Sequence, residues 1–227
     1  MLADDPRLAS LLNHPAIWRG SSAARTSVVP TGFPRLDAHL PGHGWPQVGL
    51  VEILIPHLAI GELYVILPAL AFLSRQPQAR WCAWIAPPAG PFGEQNLWPF
   101  HPYGSLELFA PALTAHGVDL SRVLVVRAEA PLWACEQALR SGACDVMLAW
   151  MRRLQARSVR RLQLATERGR TLAFIFRTLT AGTLREPSHA ALRIALQPTS
   201  EGVHLKVLRC RGGSRGDLLM PCGSDLL

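Results

Sequence analysis

The chain has 227 residues, 49% of them hydrophobic and 17% charged, which is enough apolar material for one substantial core and too much for a disordered polymer. Its formal net charge of +7 is carried almost wholly by arginine, with Lys206 the sole lysine; that balance suits a nucleic acid or an acidic protein surface without choosing between them. The longest apolar stretch, 48–73, is interrupted by Glu52, Pro56, His57, Glu62 and Pro68, which excludes a membrane span of about 20 apolar residues.

In chain order, residues 1–27 are a lead-in with one apolar patch, LASLLNHPAIW. In it Leu11, Leu12, Ile17 and Trp18 either cap the core or dock on a partner. Its acidic start lacks the basic region of a signal peptide, so the cytoplasm is the expected compartment. TGFPRLDAHLPGHGWPQ, 31–47, is turn-rich around a short amphipathic helix with Leu36 and Leu40 inward. GLVEILI, 49–55, reads as a strand, and a helix is expected from about 61 to 75, with Pro68 either kinking it or marking a shortened first turn. RWCAWIA, 80–86, has the pattern of a central strand, and PPAGPFGEQNLWPFHPYG is a long loop carrying Trp98, Phe100 and Tyr103.

An apolar helix, SLELFAPALTAHGV, leads into strand RVLVVRA, 122–128. APLWACEQALRSGAC is a helix with Gly142 near its C-terminal end, followed by the buried strand DVMLAWM, 145–151. Residues 152–170 read as an arginine-rich helix, TLAFIFRTL, 171–179, as a buried strand, and 191–210 as a hairpin. The end, 211–227, lacks periodicity and is expected to fray. Strands alternating with helices predict an α/β domain over 28–210, with a mostly parallel twisted sheet closed by an antiparallel C-terminal hairpin.

The segment VGLVEILIPHLAIGELY, 48–64, has the layout of a phosphate-binding loop, a strand, a glycine turn and an apolar helical run. That loop requires G-x-x-x-x-G-K-[ST]. Here Gly61 is followed by Glu62 and Leu63, so a carboxylate replaces the phosphate-binding ammonium and no hydroxyl is left for magnesium. No cofactor is expected, and no metal: the five cysteines contain no C-x-x-C pair and read as reduced core thiols, and Cys135 and Cys144 have no histidine at ligand spacing. His43, His57 and His101 show no triad order, and Glu94 and Glu107 make no acid/base pair.

Arginines are the main candidate contacts. Arg153, Arg157, Arg160 and Arg161 fall along one face of the expected helix, with Leu154, Leu162 and Leu164 turned elsewhere and Arg152, Arg168 and Arg170 extending the field. This face reads as a DNA contact, an acidic-partner contact or plain solvated surface. Arg209, Arg211 and Arg215 alternate into the tail and read as a partner contact or a frayed end. Trp98, Phe100 and Tyr103 can stack bases, but core packing or a protein contact fits a loop without basic neighbours better.

Taken in order, the motifs resemble the RecA-type ATPase core: TGFPRLDAHLPGHGWPQVGLVEI as the entry to the first strand, AHGVDLSRVLVV, and EQALRSGACDVMLAW before the Walker B position. The resemblance implies a RecA-like, P-loop-type fold with a degenerate nucleotide site. Trp150 stands where the Walker B acid is due, and PPAGPF stands in place of the acid that activates water. Three losses together argue against an enzyme. HPAIWRG and LPALAFLS further resemble the ImuA family, the RecA/SulA-like accessory proteins of the bacterial damage-induced mutasome.

That resemblance implies a non-catalytic adaptor in SOS translesion synthesis. Its partners would be an ImuB-type polymerase-like protein, and with it RecA, the error-prone C-family DNA polymerase or weakly held single-stranded DNA. The alternative is a cell-division inhibitor of the SulA type, binding the tubulin-like division protein. A third reading is a weak ATPase with an unusual loop.

Overall fold

A computed structural model of the chain describes residues 27–57, 60–86, 109–151, 153–213 and 216–221. The entry to the sheet is a small antiparallel pair, β1 (Val28–Val29) with β2 (Trp45–Pro46), enclosing helix α1 (Pro34–His39). The TGFPRLD segment folds on itself here: Asp37 accepts from the Thr31 amide at 3.1 Å, and the Thr31 hydroxyl accepts from the Phe33 amide at 3.0 Å. Gly32 sits at φ +83, and a Cβ there would lie 2.3 Å from Pro68. Only glycine permits that approach in that conformation. Leu36 and Leu40 are buried as expected.

Beyond this entry the chain alternates strand and helix. Strands β3 (Gly49–Ile55), β4 (Trp81–Ala86), β5 (Val123–Arg127), β6 (Cys144–Trp150), β7 (Leu172–Thr178), β8 (Leu192–Thr199), β9 (Gly202–Cys210) and β10 (Gly216–Pro221) form one eight-stranded sheet. Its order is β10-β9-β8-β3-β7-β6-β4-β5. The pairs from β8 across to β5 are parallel, while β8–β9 and β9–β10 are antiparallel. The chain is therefore mixed α/β, with a mostly parallel sheet closed by an antiparallel hairpin.

Five helices follow α1: α2 (Leu67–Ser74), α3 (Ala110–Ala115), α4 (Pro131–Ser141), α5 (Ala156–Gly169) and α6 (Ala181–Arg185). Alternation along the strands divides the core in two. Val51, Ile53 and Ile55 of β3 pack with α1 and α2 on one face, and Leu50 packs with α4 and α5 on the other. β3 is buried on both faces, which is why it reads as a continuous apolar run. No helix among the described residues is long and apolar enough to cross a membrane.

The amino-terminal rim of the parallel strands is tied by polar bonds. Arg80 Nε donates to Asp145 at 2.8 Å, Nη1 to the Gly142 and Gly169 carbonyls at 2.7 and 3.0 Å, and Nη2 to the Arg170 carbonyl at 2.6 Å. One guanidinium thus caps the C-terminal ends of both α4 and α5. Gly142 follows α4 in the left-handed conformation that such an end favours. Gln163 pins α5 to the sheet, its side-chain carbonyl accepting from the Leu50 and Ala191 amides at 3.0 and 3.1 Å.

The structure differs from the expected elements in three places. The 61–75 helix begins only at Leu67, with Pro68 in its first turn, where the missing N–H costs nothing. The arginine helix begins at Ala156 rather than 152, because Gln155 is extended and the Leu154 carbonyl is held by Arg177. Part of the expected frayed tail is β10, whose Leu218 and Met220 reach the core; six residues alternate too briefly to be read as a strand. The N-terminal patch, the loop with Trp98, Phe100, Tyr103, His101, Glu94 and Glu107, and Arg152, Arg215 and Cys222 lie outside the described residues.

Candidate functional site at the carboxyl rim of the sheet

Open α/β sheets take ligands outside the carboxyl ends of their parallel strands. Here three side-chain groups lie at or behind that rim.

The first is the loop after β3. Gly61 has φ +84, and Glu62 is only 5% exposed, its carboxylate accepting from the Ile60 amide at 3.1 Å. Glu62 is thus an acid folded back onto its own loop. Leu63 packs against the core beside Ile60.

The second is an aromatic stack. Trp150, at the end of β6, lies 5.0 Å from Phe176 of β7 in a stacked arrangement and 5.7 Å from Trp84 of β4. All three rings belong to the α2 face of the sheet. Offset stacking of this kind adds to the area the rings bury. The PPAGPF segment lies outside the described residues.

The third group, on the opposite face, was missed by motif reading. Glu52 in the middle of β3 is fully buried. Arg177 of β7 donates to it at 2.7 Å, Arg193 of β8 stands 3.5 Å away, and the Ser188 hydroxyl donates to its second oxygen. Arg177 also donates to the Leu154 carbonyl at 2.9 Å and to Glu186 at 3.0 Å, and Arg193 to the Thr183 and Glu186 carbonyls. Burial pulls the Arg193 guanidinium below its ordinary pKa, and the Glu52 charge opposes that pull. The sequence did hold a signal. GLVEILI, TLAFIFRTL and ALRIALQPT each carry one charge within an apolar run, and a charge at a buried position requires a partner.

The predicted arginines do not form one patch. Arg153 precedes α5 and lines a cavity at the rim together with Arg177. Arg157 and Arg160 are exposed on α5, with no ion pair to another described residue. Arg161 is instead a strut, bonded at 2.6 Å to buried Glu136 of α4. Arg168 is exposed, and Arg170 ends α5 in a left-handed conformation. Arg209 donates to the Ser188 carbonyl, and Arg211 lies 3.7 Å from Glu167 of α5. Leu154 and Leu162 are buried as expected, but Leu164 is 55% exposed because it falls on the outer side of α5.

Cys82, Cys135 and Cys144 are buried free thiols; burial pushes Cys82 up to about 12 and Cys135 higher still. Among the described residues no cluster of His, Cys, Asp and Glu can hold a metal.

No family model matches the chain. Among characterised proteins, it is 31% identical over 164 residues to the cell division inhibitor SulA of Edwardsiella piscicida, which spans 70% of this chain and 80% of that protein. The chain belongs to the SulA family. The crystal structure of SulA from Pseudomonas aeruginosa is 24% identical, covers 57% of this SulA-family chain and 98% of its own, and superposes with a TM-score of 0.42. The shared family accounts for the SulA-like side of the ImuA resemblance; it does not reach as far as ImuA itself.

Proposed function

We propose that this SulA-family chain is a non-catalytic, protein-binding component of the bacterial DNA-damage response. The observation that carries this reading is the occupied rim. The buried Glu62 carboxylate and the cluster of Trp84, Trp150 and Phe176 take the positions that the RecA-type resemblance would give to phosphates and magnesium. The order of motifs around β3 supports a degenerate RecA-type core, and Glu62 would repel a nucleotide's phosphates. Isothermal calorimetry with Mg-ATP tests this half of the proposal, with no heat of binding expected. Saturable binding at millimolar nucleotide would overturn it.

The first reading of the partner is the tubulin-like division protein, with inhibition of cell division as the outcome. It is favoured by the relative from Edwardsiella piscicida, a cell division inhibitor, which matches over most of its length. The second is an adaptor in translesion synthesis that binds an ImuB-type polymerase-like protein, with RecA and the C-family polymerase in the same assembly. It is favoured by HPAIWRG and by LPALAFLS, the latter forming α2. Overexpression separates the two. Filamentous cells support the inhibitor, and normal length with altered damage-induced mutagenesis supports the adaptor. Unchanged length and unchanged mutagenesis would refute both.

A further inference from the structure

The cavity at the carboxyl rim, about 620 Å³, is bounded by the β6–α5 connection, the end of β7 and α6. Its chemistry is unusual for a surface hollow. Arg177 lines it while being 2% exposed, and although this side chain makes three hydrogen bonds, its Nε has no partner. Thr178, Thr180 and Thr183 line it as well. Arg153 stands exposed at the same cavity. Among the described residues around it, the guanidinium groups of Arg153, Arg177, Arg193 and Arg209 are set against two carboxylates, Glu52 and Glu186. A buried donor without an acceptor and a surplus of positive charge are the complement of an anion.

One carboxylate already reaches this site. Glu186 reaches Arg177 at 3.0 Å from the cavity wall while its own side chain is 46% exposed. A carboxylate from within the chain thus already occupies one fork of a buried guanidinium, at a place where it can be exchanged.

We propose that this cavity receives an aspartate or glutamate side chain of a partner protein, held by Arg177 and Arg153 in competition with Glu186. The inference rests on the partner-binding reading above and supplies the chemistry of the partner's anchor. It places the anchor away from Arg157 and Arg160. An arginine fork matches a carboxylate with two parallel bonds, and the apolar body of Leu154 beside it suits the methylene stem of an acidic side chain.

The probe is a fluorescein-labelled deca-glutamate peptide, titrated into the full chain by anisotropy at low salt, with a labelled deca-thymidine strand in parallel. The expected result is that Arg153→Glu weakens peptide binding at least tenfold and Glu186→Gln tightens it threefold or more, because the internal competitor is gone. Both positions are partly or fully exposed, so both variants retain the fold, which circular dichroism checks. The double variant Arg157→Glu with Arg160→Glu should change peptide affinity less than threefold.

Peptide binding that ignores Arg153→Glu, or that is lost only in the α5 double variant, would overturn the proposal. So would deca-thymidine binding more tightly than the peptide and failing with Arg153→Glu, since the site would then be one for phosphate. Because the readout needs neither filamentation nor mutagenesis, failure of the cavity and failure of the cellular reading are separately visible.

Discussion

Replacing Glu52 by glutamine removes one negative charge from the interior and almost no volume. Glu52 is fully buried, Arg177 bonds it at 2.7 Å, and Arg193 stands at 3.5 Å. Without it, two guanidinium groups remain in the core with only Glu186 at the cavity edge to compensate. Removing one member of a buried ion pair costs about 3–5 kcal/mol, a large share of the roughly 5–15 kcal/mol that holds a typical domain folded. With a urea m-value of about 3 kcal/mol per M, the upper end expected for small proteins, the midpoint falls by about 1–1.7 M. Equilibrium urea unfolding followed by tryptophan fluorescence reads this directly, since Trp84 and Trp150 sit at the same rim. The triple variant Glu52→Met, Arg177→Leu, Arg193→Met removes the charges together and should regain most of the loss, because apolar replacement of a whole buried ionic group is close to neutral. A midpoint shift under about 0.3 M for Glu52→Gln at unchanged m would refute the reasoning, and with it the claim that this cluster is an electrostatic unit.

Two further outcomes follow from the core. Gly169→Ala places a Cβ 1.7 Å from the Leu139 carbonyl oxygen, so α4 and α5 must part and stability should fall by about 3 kcal/mol or more; a thermal midpoint within a degree of the parent would contradict the close approach. Cys82 is protonated in the fold up to about pH 12, whereas an unfolded thiol ionises near 9. Its folded pKa is raised, so the stability it contributes is complete below pH 9 and is lost as pH climbs toward 12, at about 1.4 kcal/mol per pH unit. Urea midpoints between pH 9 and 11 should therefore slope down less steeply in Cys82→Ala than in the parent, and equal slopes would count against it.

The alternation of strands and helices was legible because each parallel strand is an apolar run bounded by turn residues. Gly49–Ile55 and Leu172–Thr178 fall within one residue of where the pattern put them. Leu36, Leu40 and the Gly142 helix end were legible from period and cap chemistry. The charge cluster was not, because Glu52, Arg177 and Arg193 are 125 and 141 residues apart in sequence from Glu52, and only the β3–β7 and β3–β8 registers bring them side by side. Arg161 carried no mark distinguishing it from Arg157 and Arg160, since its partner Glu136 sits on another helix. The late start of α5 escaped notice for a similar reason. What holds Leu154 out of the helix is a donor from β7, and local propensity contains nothing of it.

The Arg80 clamp concentrates the ties of the amino rim on one side chain. At the amino rim, a single planar fork joins the start of β4 to the ends of two helices, so a one-residue insertion near Gly142 or Gly169 would pull several bonds out of register at once. A lysine there, with a point charge in place of a fork, would leave most of those carbonyls unserved. At the opposite rim the ties are shared among several side chains: the Leu154 carbonyl accepts from Arg177, the Thr183 and Glu186 carbonyls accept from Arg193, and Ser188 donates to Glu52. Exposed single positions can vary there while the scaffold stays put. For anyone building a library on this framework, diversity belongs at exposed rim positions such as Arg153, Gln155, Ala181 and Leu184, and the residues around Arg80 are the part to leave alone.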